Sequence, residues 1–501
     1  MKHYHPNFEE FLGLCAQGNT IPVHRQLLAD TLTPVMAYKR LVFPAGFAPV
    51  KHAFLLESVE RGGRARFSFV AADPQATFTA RGDEITIRWL TGRQEKVVSH
   101  DPLAQLRGML EPYQAVHLRD LPRFTGGVVG YAAYDMIRYY ENLGPGPADD
   151  RHLPDLAFGL YRTTVIFDHY HDTIKIVANA HVTGDPGKAY SEAVDSIERT
   201  IARLREGDGQ PVGEVTLVGL PQKPFQSNFT QQAYMEMVEA CKEYIRAGDI
   251  FQVVPSQRLT VETSATPFDI YRALRLVNPS PYMFLLNFPD VTLVGSSPEI
   301  LCRVEQGEVT SRPLAGTRRR GATEEEDRAL EAELRADPKE RAEHIMLVDL
   351  ARNDVGRVAK PRTIRLSDVM TVERYSHVMH IVSDVKGRLS EGLTAFDALR
   401  TSLPVGTVSG APKIRAMQII DEFEPTRRGP YAGAVGYVDF GGNMDTCIAL
   451  RTMVITGGKV YVQAGGGVVA DSVPQEEYQE TINKARALLR AIEVAEAGFG
   501  D

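Results

Sequence analysis

The sequence predicts an α+β protein with antiparallel strand pairs, and its strand and turn patterns support that class. Short β-branched and aromatic runs bounded by turn residues, among them "EITIRWL" and "TIKIVANAHV", predict strands in the first half of the chain. Residues 431–464 contain further strand runs separated by Gly-Gly pairs at 441–442 and 457–458, which is typical of an antiparallel meander. Helical segments alternate with the strands of the second half.

Three of those segments have the residue spacing of amphipathic helices. They are residues 229–249, residues 338–354 and residues 474–497, the last of which predicts a long helix at the end of the sequence. In the last helix the expected buried residues are Tyr478, Ile482, Ala485, Leu488, Leu489 and Ile492. In residues 338–354 they are Ile345, Met346, Val348 and Leu350.

The length and the linker composition predict two domains. The chain has 501 residues, whereas single hydrophobic cores stop growing at roughly 250 to 300 residues. Gly, Pro and polar residues accumulate in residues 201–228, as in an interdomain connection. We therefore predict an N-terminal α+β domain over 1–205, a connection over 206–224 and a second domain over 225–501.

Composition excludes several classes of protein. A net charge of −8 gives no basic surface for nucleic acid, and no apolar run approaches the roughly 18 residues that indicate a membrane span. The N-terminal stretch "MKHYHPNFEEFLGLC" carries two glutamates where a secretion signal needs an apolar run. The four cysteines are scattered and form no zinc motif or disulfide framework. We expect a soluble protein of the reducing cytoplasm.

Three glycine-containing stretches could bind a small anion. "RPLAGTRRRG" (312–321) could be a phosphate cradle or simply a solvated arginine face. The three glycines of "QAGGGVVADS" (463–472) could direct backbone N–H groups at an anion, or form a tight turn. In "SLPVGTVSGAPKIRAM", Ser409 is a candidate N-cap before Pro412, so that helix start could also face an anion.

Charged side chains on separate segments could complete such a site. Glu343 and Glu480 lie on two predicted helices and could meet over a cleft, where carboxylates without soft ligands suit Mg²⁺; the alternative is two solvated glutamates. Arg451 lies inside an apolar strand run and needs a carboxylate partner, which could be Asp445, Glu299 or a ligand. Together these residues describe a site for a small dianion.

A set of ordered motifs makes the chain resemble the chorismate-utilising enzyme family, most closely its anthranilate synthase component I branch. The motifs are "GDIFQVVPSQR" (248–258), "NPSPYMF" (278–284), "GSSPE" (295–299), "RPLAGTRRRG" (312–321), "EHIMLVDLARNDVGRV" (343–358), "YSHVMH" (375–380), "PVGTVSGAPK" (404–413), "YAGAVGY" (431–437), "QAGGGVV" (463–469) and "ETINKA" (480–485). The resemblance implies large antiparallel β-sheets with helices packed outside, and a reaction of chorismate with ammonia that gives anthranilate and pyruvate.

The resemblance also implies roles for individual residues. Glu343 and Glu480 would hold Mg²⁺, which binds the ring carboxylate of chorismate. Glu299 would be the general acid that protonates the departing hydroxyl, and His380, rather than His377, would lie beside that oxygen. A glutamate in this role needs a raised pKa. The implied substrate-binding residues are Gly316, Thr317, Thr407, Tyr431, Arg451, Gly465, Gly466 and Gly467.

Two further positions imply which nucleophile is used. Relatives that make 4-amino-4-deoxychorismate carry a lysine where this chain has Ala315, and relatives that add water carry a lysine base where it has Gln252. Because neither alanine nor glutamine can attack the ring or activate water, the resemblance implies free ammonia. An enzyme that stops at 2-amino-2-deoxyisochorismate would lack the same lysines, so this alternative stays open, as does a non-catalytic regulatory paralogue.

The resemblance finally implies a partner and a regulator. The chain has no glutaminase nucleophile motif, so ammonia from glutamine would need a separate glutaminase subunit and hence a hetero-oligomer. Feedback inhibition by tryptophan is implied, at a separate site. Its expected residues are Glu57, Ser58, Pro281, Tyr282, Met283, Val435 and Tyr437.

Overall fold

The computed structural model describes residues 3–44, 48–58, 66–206, 214–374 and 378–499. The helices are α1 (Phe8–Leu14), α2 (Pro34–Val42), α3 (Pro102–Gly108), α4 (Pro186–Arg205), α5 (Gln231–Arg246), α6 (Pro267–Val277), α7 (Glu324–Ala336), α8 (Pro338–Gly356), α9 (Ala395–Ser402), α10 (Lys413–Phe423) and α11 (Pro474–Ala497). Two 3₁₀ turns cover Tyr134–Tyr139 and Gly406–Val408.

The strands alternate with these helices along the chain. They are β1 (Thr20–Leu28), β2 (Ala53–Glu57), β3 (Phe67–Ala72), β4 (Ala76–Arg81), β5 (Glu84–Trp89), β6 (Gln94–Val98), β7 (Gly127–Ala132), β8 (Leu156–Tyr161), β9 (Thr163–Asp168), β10 (Thr173–His181), β11 (Gln226–Ser227), β12 (Gln252–Val253), β13 (Ser256–Glu262), β14 (Tyr282–Asn287), β15 (Thr292–Ser297), β16 (Ile300–Glu305), β17 (Glu308–Ser311), β18 (Leu314–Arg319), β19 (Arg365–Arg374), β20 (Val378–Arg388), β21 (Gly410–Ala411), β22 (Ala434–Asp439), β23 (Met444–Ile448), β24 (Thr452–Thr456) and β25 (Lys459–Gly465).

Two large antiparallel sheets organise the described residues, which confirms the predicted α+β class. One sheet has eleven strands in the order β1-β10-β9-β3-β2-β14-β15-β24-β25-β13-β11. The other has twelve, in the order β18-β20-β17-β16-β23-β22-β7-β8-β4-β5-β6, with β19 paired to β20. Helices α4, α6 and α11 pack against the first sheet, and α8 packs against β18 and β20 of the second.

Both sheets draw strands from both sides of the predicted connection at 206–224. In the eleven-stranded sheet β2 pairs with β14, and in the twelve-stranded sheet β7 pairs with β22. Part of that connection, residues 207–213, lies outside the described residues, and residues 214–225 contain no helix or strand. No helix in the described part of the chain is both long enough and apolar enough to cross a membrane.

The three predicted helices are present in the structure, but the predicted buried residues of α8 and the predicted N-cap Ser409 are wrong. The last one, α11, covers residues 474–497 as expected, and α5 and α8 lie at the other two predicted positions. On α8, however, the buried residues are His344, Leu347, Ala351, Asp354 and Val355, whereas Ile345 is 50% exposed. Ser409 is not an N-cap, because α10 starts at Lys413 and the Ser409 hydroxyl donates to Val405 O.

The predicted meander over 431–464 is wrong in one respect that matters for the site. The run 447–455 is not one strand: β23 ends at Ile448, β24 begins at Thr452, and the two belong to different sheets. Arg451 lies at this crossing with a φ of +46°, a left-handed conformation that is rare for residues other than glycine. The chain therefore leaves the twelve-stranded sheet at residue 448 and enters the eleven-stranded sheet at residue 452.

A second crossing lies directly beside the first. β15 of the eleven-stranded sheet ends at Ser297 and β16 of the twelve-stranded sheet begins at Ile300, so Glu299 lies between the sheets. The two crossings are joined through the backbone: Ser296 N–H donates to Arg451 O over 3.1 Å, and Ile448 N–H donates to Glu299 O over 3.0 Å. Residues of both crossings, among them Glu299 and Arg451, line one cavity.

Candidate active site

A cavity of about 770 Å³ lies beside the two crossings. Its walls come from both crossings, from β18 and β20, from the end of β25, and from helices α8 and α11. The predicted residues that line it are Gln252, Glu299, Ala315, Gly316, Thr317, Glu343, His380, Thr407, Tyr431, Arg451, Gly465, Gly467 and Glu480. The structure thus brings together residues that are far apart in the sequence.

Glu299 is buried in the cavity wall, with 8% of its surface exposed. Burial raises the pKa of its carboxyl to about 8, because a carboxylate loses its hydration there. Thr407 Oγ1 donates a hydrogen bond to Glu299 Oε1 over 3.1 Å, which acts in the opposite direction. At neutral pH this side chain is therefore mainly an acid that can donate a proton.

His380 lies on β20 opposite the 316–317 segment of β18. Its Nδ1 is 2.9 Å from Gly316 O and 3.1 Å from Thr317 Oγ1. Because a carbonyl oxygen only accepts, Nδ1 carries the hydrogen in the neutral ring and Nε2 carries the lone pair. Burial lowers the pKa of His380, so the neutral ring predominates at neutral pH.

Arg451 faces the cavity without a carboxylate partner among the described residues. Asp445, one of the partners considered for it, is instead paired with Arg303 at 3.0 Å and accepts from the Tyr282 hydroxyl at 2.9 Å. Burial lowers the pKa of the Arg451 guanidinium, which nonetheless stays charged at neutral pH. An unpaired, desolvated cation in a cavity favours an anionic ligand.

Tyr431 lines the same cavity as Arg451, and it is 3% exposed. Burial raises the pKa of its hydroxyl to about 12, so it stays protonated and can donate a hydrogen bond at any physiological pH. The next residue, Ala432, has a φ of +62°. Strained backbone of this kind costs about 1–3 kcal/mol and is concentrated at ligand sites.

The two predicted metal ligands, Glu343 on α8 and Glu480 on α11, face the same part of the cavity. Burial raises the pKa of Glu343, and the nearby Glu340 and Glu480 carboxylates raise it further. Lys484 Nζ, 2.6 Å from Glu480 Oε1 and 2.9 Å from Gly465 O, supplies a counter-charge. The mutual repulsion of these carboxylates is what a bound cation would relieve, so the residues fit Mg²⁺.

The described residues contain no group of three or more His, Cys, Asp and Glu side chains arranged to hold a metal ion. A cation held by Glu343 and Glu480 would therefore take its other ligands from water and from the substrate. That is the usual coordination of Mg²⁺, which retains several waters and binds one or two protein carboxylates.

Close packing against the backbone favours glycine at position 465, whereas the nearest atoms at positions 466 and 467 belong to movable side chains. A Cβ on Gly465 would lie 2.6 Å from Pro255 O, and one on Gly467 would lie 2.6 Å from Gln252 Nε2. Gly466 does not line the cavity as predicted, because its N–H donates to Pro255 O over 3.2 Å. Of the three expected donors, Gly466 is thus already used within the fold.

The arginines of residues 318–320 are paired with acidic side chains of the fold. Arg318 is paired with Glu333, Asp337 and Glu340 at 2.8, 2.7 and 3.1 Å. Each of the other two is paired with one acid of α7: Arg319 with Glu326, and Arg320 with Asp327. These pairs fasten α7 and α8 to β18, which leaves Ala315, Gly316 and Thr317 facing the cavity.

Known proteins resemble this chain over nearly its full length. The family model of chorismate binding enzymes matches residues 51–490. The chain belongs to this family. It is 47% identical over 497 residues to a protein from Acetivibrio thermocellus named anthranilate synthase component 1, with 98% of this chain and 99% of the relative covered. A protein of the same name from Thermus thermophilus is 50% identical over 480 residues, with 95% and 99% covered.

Solved structures of the family share the fold. Anthranilate synthase component I from Streptococcus pneumoniae matches with a TM-score of 0.76 and 38% identity, over 92% of this chain and 99% of that one. The menaquinone-specific isochorismate synthase MenF from Escherichia coli matches with a TM-score of 0.68 over 97% of this chain and 98% of that one. At 20% identity the second match shows the fold alone.

A separate small pocket, of about 120 Å³, contains every residue predicted for tryptophan. These are Glu57, Ser58, Pro281, Tyr282, Met283, Val435 and Tyr437. Glu57 is nearly buried there; its Oε2 accepts from the Tyr271 hydroxyl at 2.5 Å and from Arg275 Nε at 3.2 Å. These bonds connect the pocket to α6, which packs against α11.

The sequence interpretation missed several residues that line the cavity. On α11, Glu477 and Lys484 lie three residues before and four residues after Glu480, so helical spacing could have identified both. Gln463 lies two residues before Gly465 on β25 and therefore faces the same side of the strand. Lys339 and Glu340, in the first turn of α8, also line the cavity and gave no recognisable pattern.

Proposed function

We propose that this chain catalyses the anthranilate synthase component I reaction: chorismate and ammonia give anthranilate, pyruvate and water. The observation that carries the proposal is Glu299, a buried carboxyl whose pKa of about 8 makes it a proton donor at neutral pH. It lines the same cavity as a desolvated arginine and two adjacent carboxylates. The full-length likeness to proteins named anthranilate synthase component 1 supports the same activity.

Glu299 protonates the ring hydroxyl, so that it can leave as water instead of hydroxide. The nitrogen lone pair forms the new C–N bond as the ring C–O bond breaks, and the hydroxyl departs as water with the proton from Glu299. The proton that the new ammonium group then loses returns the Glu299 carboxylate to its acid form. His380, with its Nε2 lone pair, assists the later elimination, in which the ring loses a proton and the bond between the ring carbon and the ether oxygen breaks. The departing enolpyruvate takes up one proton at its methylene carbon and becomes pyruvate, so the proton lost by the ring is balanced.

Two sets of residues hold the two carboxylates of chorismate. Arg451 and Tyr431 bind the enolpyruvyl carboxylate, and Gly465 and Gly467 lie at the ring carboxylate. Glu343 and Glu480 would hold Mg²⁺, which would supply the positive charge that neutralises the ring carboxylate. Gly316, Thr317 and Thr407 complete the wall. When both carboxylates of chorismate are held, the ring is aligned with Glu299. The entropy cost of this alignment is then met on binding and no longer adds to the reaction barrier.

The identity of two residues determines the nucleophile. Ala315 presents a methyl group to the cavity, so no covalent ring adduct can form there. Gln252 presents an amide, which cannot remove a proton from water at neutral pH. Ammonia needs no such activation, because its free base already has a lone pair. This favours amination over hydration of the ring.

The proposal extends to a partner and a regulator. Ammonia would come from glutamine through a separate glutaminase subunit in a cytoplasmic hetero-oligomer. Tryptophan would inhibit by binding the small pocket that contains Glu57 and Ser58. The connection of that pocket to α6 and α11, the helix that carries Glu480, gives inhibition a physical route to the catalytic cavity.

The first test uses the purified chain with chorismate, Mg²⁺ and an ammonium salt at mildly alkaline pH. We expect anthranilate, identified by fluorescence and mass, together with pyruvate, both abolished by EDTA. An amino product without pyruvate would establish the 2-amino-2-deoxyisochorismate alternative. A hydroxylated isomer would show that the interpretation of Ala315 and Gln252 is wrong.

A further inference from the structure

Gln463, on β25, presents an unused hydrogen-bond acceptor at the cavity. Its side chain is 7% exposed and lines the cavity, and its Oε1 is buried without a hydrogen-bond partner in the described residues. Buried acceptors are almost always paired in folded proteins. An unpaired one at a substrate cavity therefore indicates a ligand that carries a donor.

The orientation of this amide is fixed by a buried chain of hydrogen bonds. Arg428 donates to both carboxylate oxygens of Glu424, at 2.9 and 2.6 Å. Because a carboxylate only accepts, the Ser256 hydroxyl donates its hydrogen to Glu424 over 2.8 Å. Ser256 Oγ then accepts from Gln463 Nε2 over 2.8 Å. A flipped Gln463 would place two acceptors against each other, so Oε1 is the end left for a ligand.

Chorismate has few hydrogens to offer this acceptor. With both carboxylates ionised, the ring hydroxyl is its single polar hydrogen, and that group lies at Glu299 in the proposed reaction. Ammonia, in contrast, has three N–H donors and one lone pair. Gln252 Oε1 is a second buried acceptor without a partner among the described residues, and it lines the same cavity.

An uncharged amide is better suited than a carboxylate to hold ammonia in its reactive form. A carboxylate at the position of Gln463 would stabilise ammonium, which has no lone pair and cannot attack the ring. An amide oxygen accepts an N–H hydrogen bond without favouring protonation of the nitrogen. It can therefore hold ammonia with the lone pair directed away from the acceptor.

We propose that Gln463 positions the ammonia nucleophile, with its Oε1 accepting an N–H hydrogen bond and the Ser256–Glu424–Arg428 chain holding the amide in place. This inference rests on the proposed function and adds a residue to it. It assigns a role to the buried Arg428–Glu424 pair, which lies behind the cavity wall and touches no substrate.

The test is the steady-state kinetics of Gln463→Met with ammonium salt and chorismate varied separately. We expect the KM for ammonia to rise about tenfold, the effect of losing one hydrogen bond of ordinary strength, while the KM for chorismate changes by about twofold or less. Gln257→Met is the matched control. Gln257 is as deeply buried and lies on the adjacent strand, but both ends of its amide are used, by Thr481 and Ser227.

A second variant keeps the inference testable if Gln463→Met folds poorly. Ser256→Ala leaves the amide in place but removes its anchor, so we expect a smaller rise in the KM for ammonia. An unchanged KM for ammonia in either folded variant, or an equal rise in both KM values, would overturn the role of Gln463. Failure of the unmodified chain to form anthranilate from ammonia would instead overturn the proposed function.

Discussion

Thr407 and Glu299 are joined by one hydrogen bond, 3.1 Å from the threonine Oγ1 to the glutamate Oε1. Burial raises the pKa of Glu299 to about 8, and the Thr407 bond holds it below the value that burial alone would give. The acidity of the proposed proton donor is therefore set by burial, which raises its pKa, and by the Thr407 bond and the positive charge of Lys484, which both lower it. The pH dependence of the reaction should follow their balance.

Replacing Thr407 with valine should move the alkaline limit of the reaction upward. Glu299 donates a proton only below its pKa, so kcat at saturating substrates should fall as the pH rises through about 8. Without the Thr407 hydroxyl the pKa rises, and the fall should occur at higher pH. A kcat profile across this range, measured for both proteins, checks the shift; an alkaline limit at lower pH in the variant would contradict it.

Glu299→Gln should remove the proton donor while keeping the shape of the side chain. We expect kcat to fall by about 10²–10⁴, the usual contribution of general acid catalysis, with a smaller change in the KM for chorismate. Thermal unfolding of the variant serves as the control for folding. Near-normal kcat in a folded variant would exclude Glu299 as the acid.

Glu343→Gln and Glu480→Gln should each abolish turnover with the fold intact, because each variant removes one of the two negative charges that would hold Mg²⁺. The rise in unfolding temperature on adding Mg²⁺ with chorismate should disappear as well. Glu476→Gln is the matched control, since Glu476 is exposed on the same helix and does not line the cavity. An active double variant would refute the metal assignment.

Ser58→Phe should weaken inhibition by tryptophan without changing kcat. The small pocket has a volume of about 120 Å³, so a benzyl group at its edge leaves little room for an indole. The measurement is the tryptophan concentration that halves anthranilate formation in each protein. If that concentration is the same for both, tryptophan binds elsewhere.

Arg428→Met should destabilise the protein strongly, because Arg428 and Glu424 form a salt bridge in which both side chains are 2% exposed. Removing one partner leaves a buried charge, which costs about 3–5 kcal/mol in the free energy of unfolding. Urea unfolding measures this cost. Arg427→Met, at the neighbouring, less buried position, should cost about 1 kcal/mol or less, and equal losses would argue against the buried pair.

The sequence predicted the features of the fold that depend on local patterns. α11 has six apolar residues in one helical stripe, so its limits could be set within a residue. The stripe of α8 was misassigned because His344 is fully buried, where its Nε2 lies 2.7 Å from Ser383 Oγ, while Ile345 faces outward. A buried histidine needs a polar partner, and here the partner is Ser383 on β20. The local sequence around His344 does not show which distant residue will be its partner.

The crossing at Arg451 could not be predicted for a similar reason. Residues 447–455 have the composition of a single strand, and only pairing with β15 and β22 divides them between two sheets. The residues predicted from their motifs for chorismate and Mg²⁺ do line one cavity, except Gly466, and those predicted for tryptophan line the small pocket. That exception, and the missed Gln463, depend on hydrogen bonds to Pro255 and Ser256 from a distant part of the chain.

Each large sheet contains strands from both residues 1–205 and residues 225–501, so a fragment with only one of these parts has two incomplete sheets. A fragment of residues 225–501 would carry β14 without β2 and β22 without β7, so each sheet would end in a newly unpaired strand. Such edges pair readily with other chains, and aggregation follows. The N-terminal half therefore covers the edges of β14 and β22, two strands that carry residues of the small pocket, and it supplies further residues of that pocket.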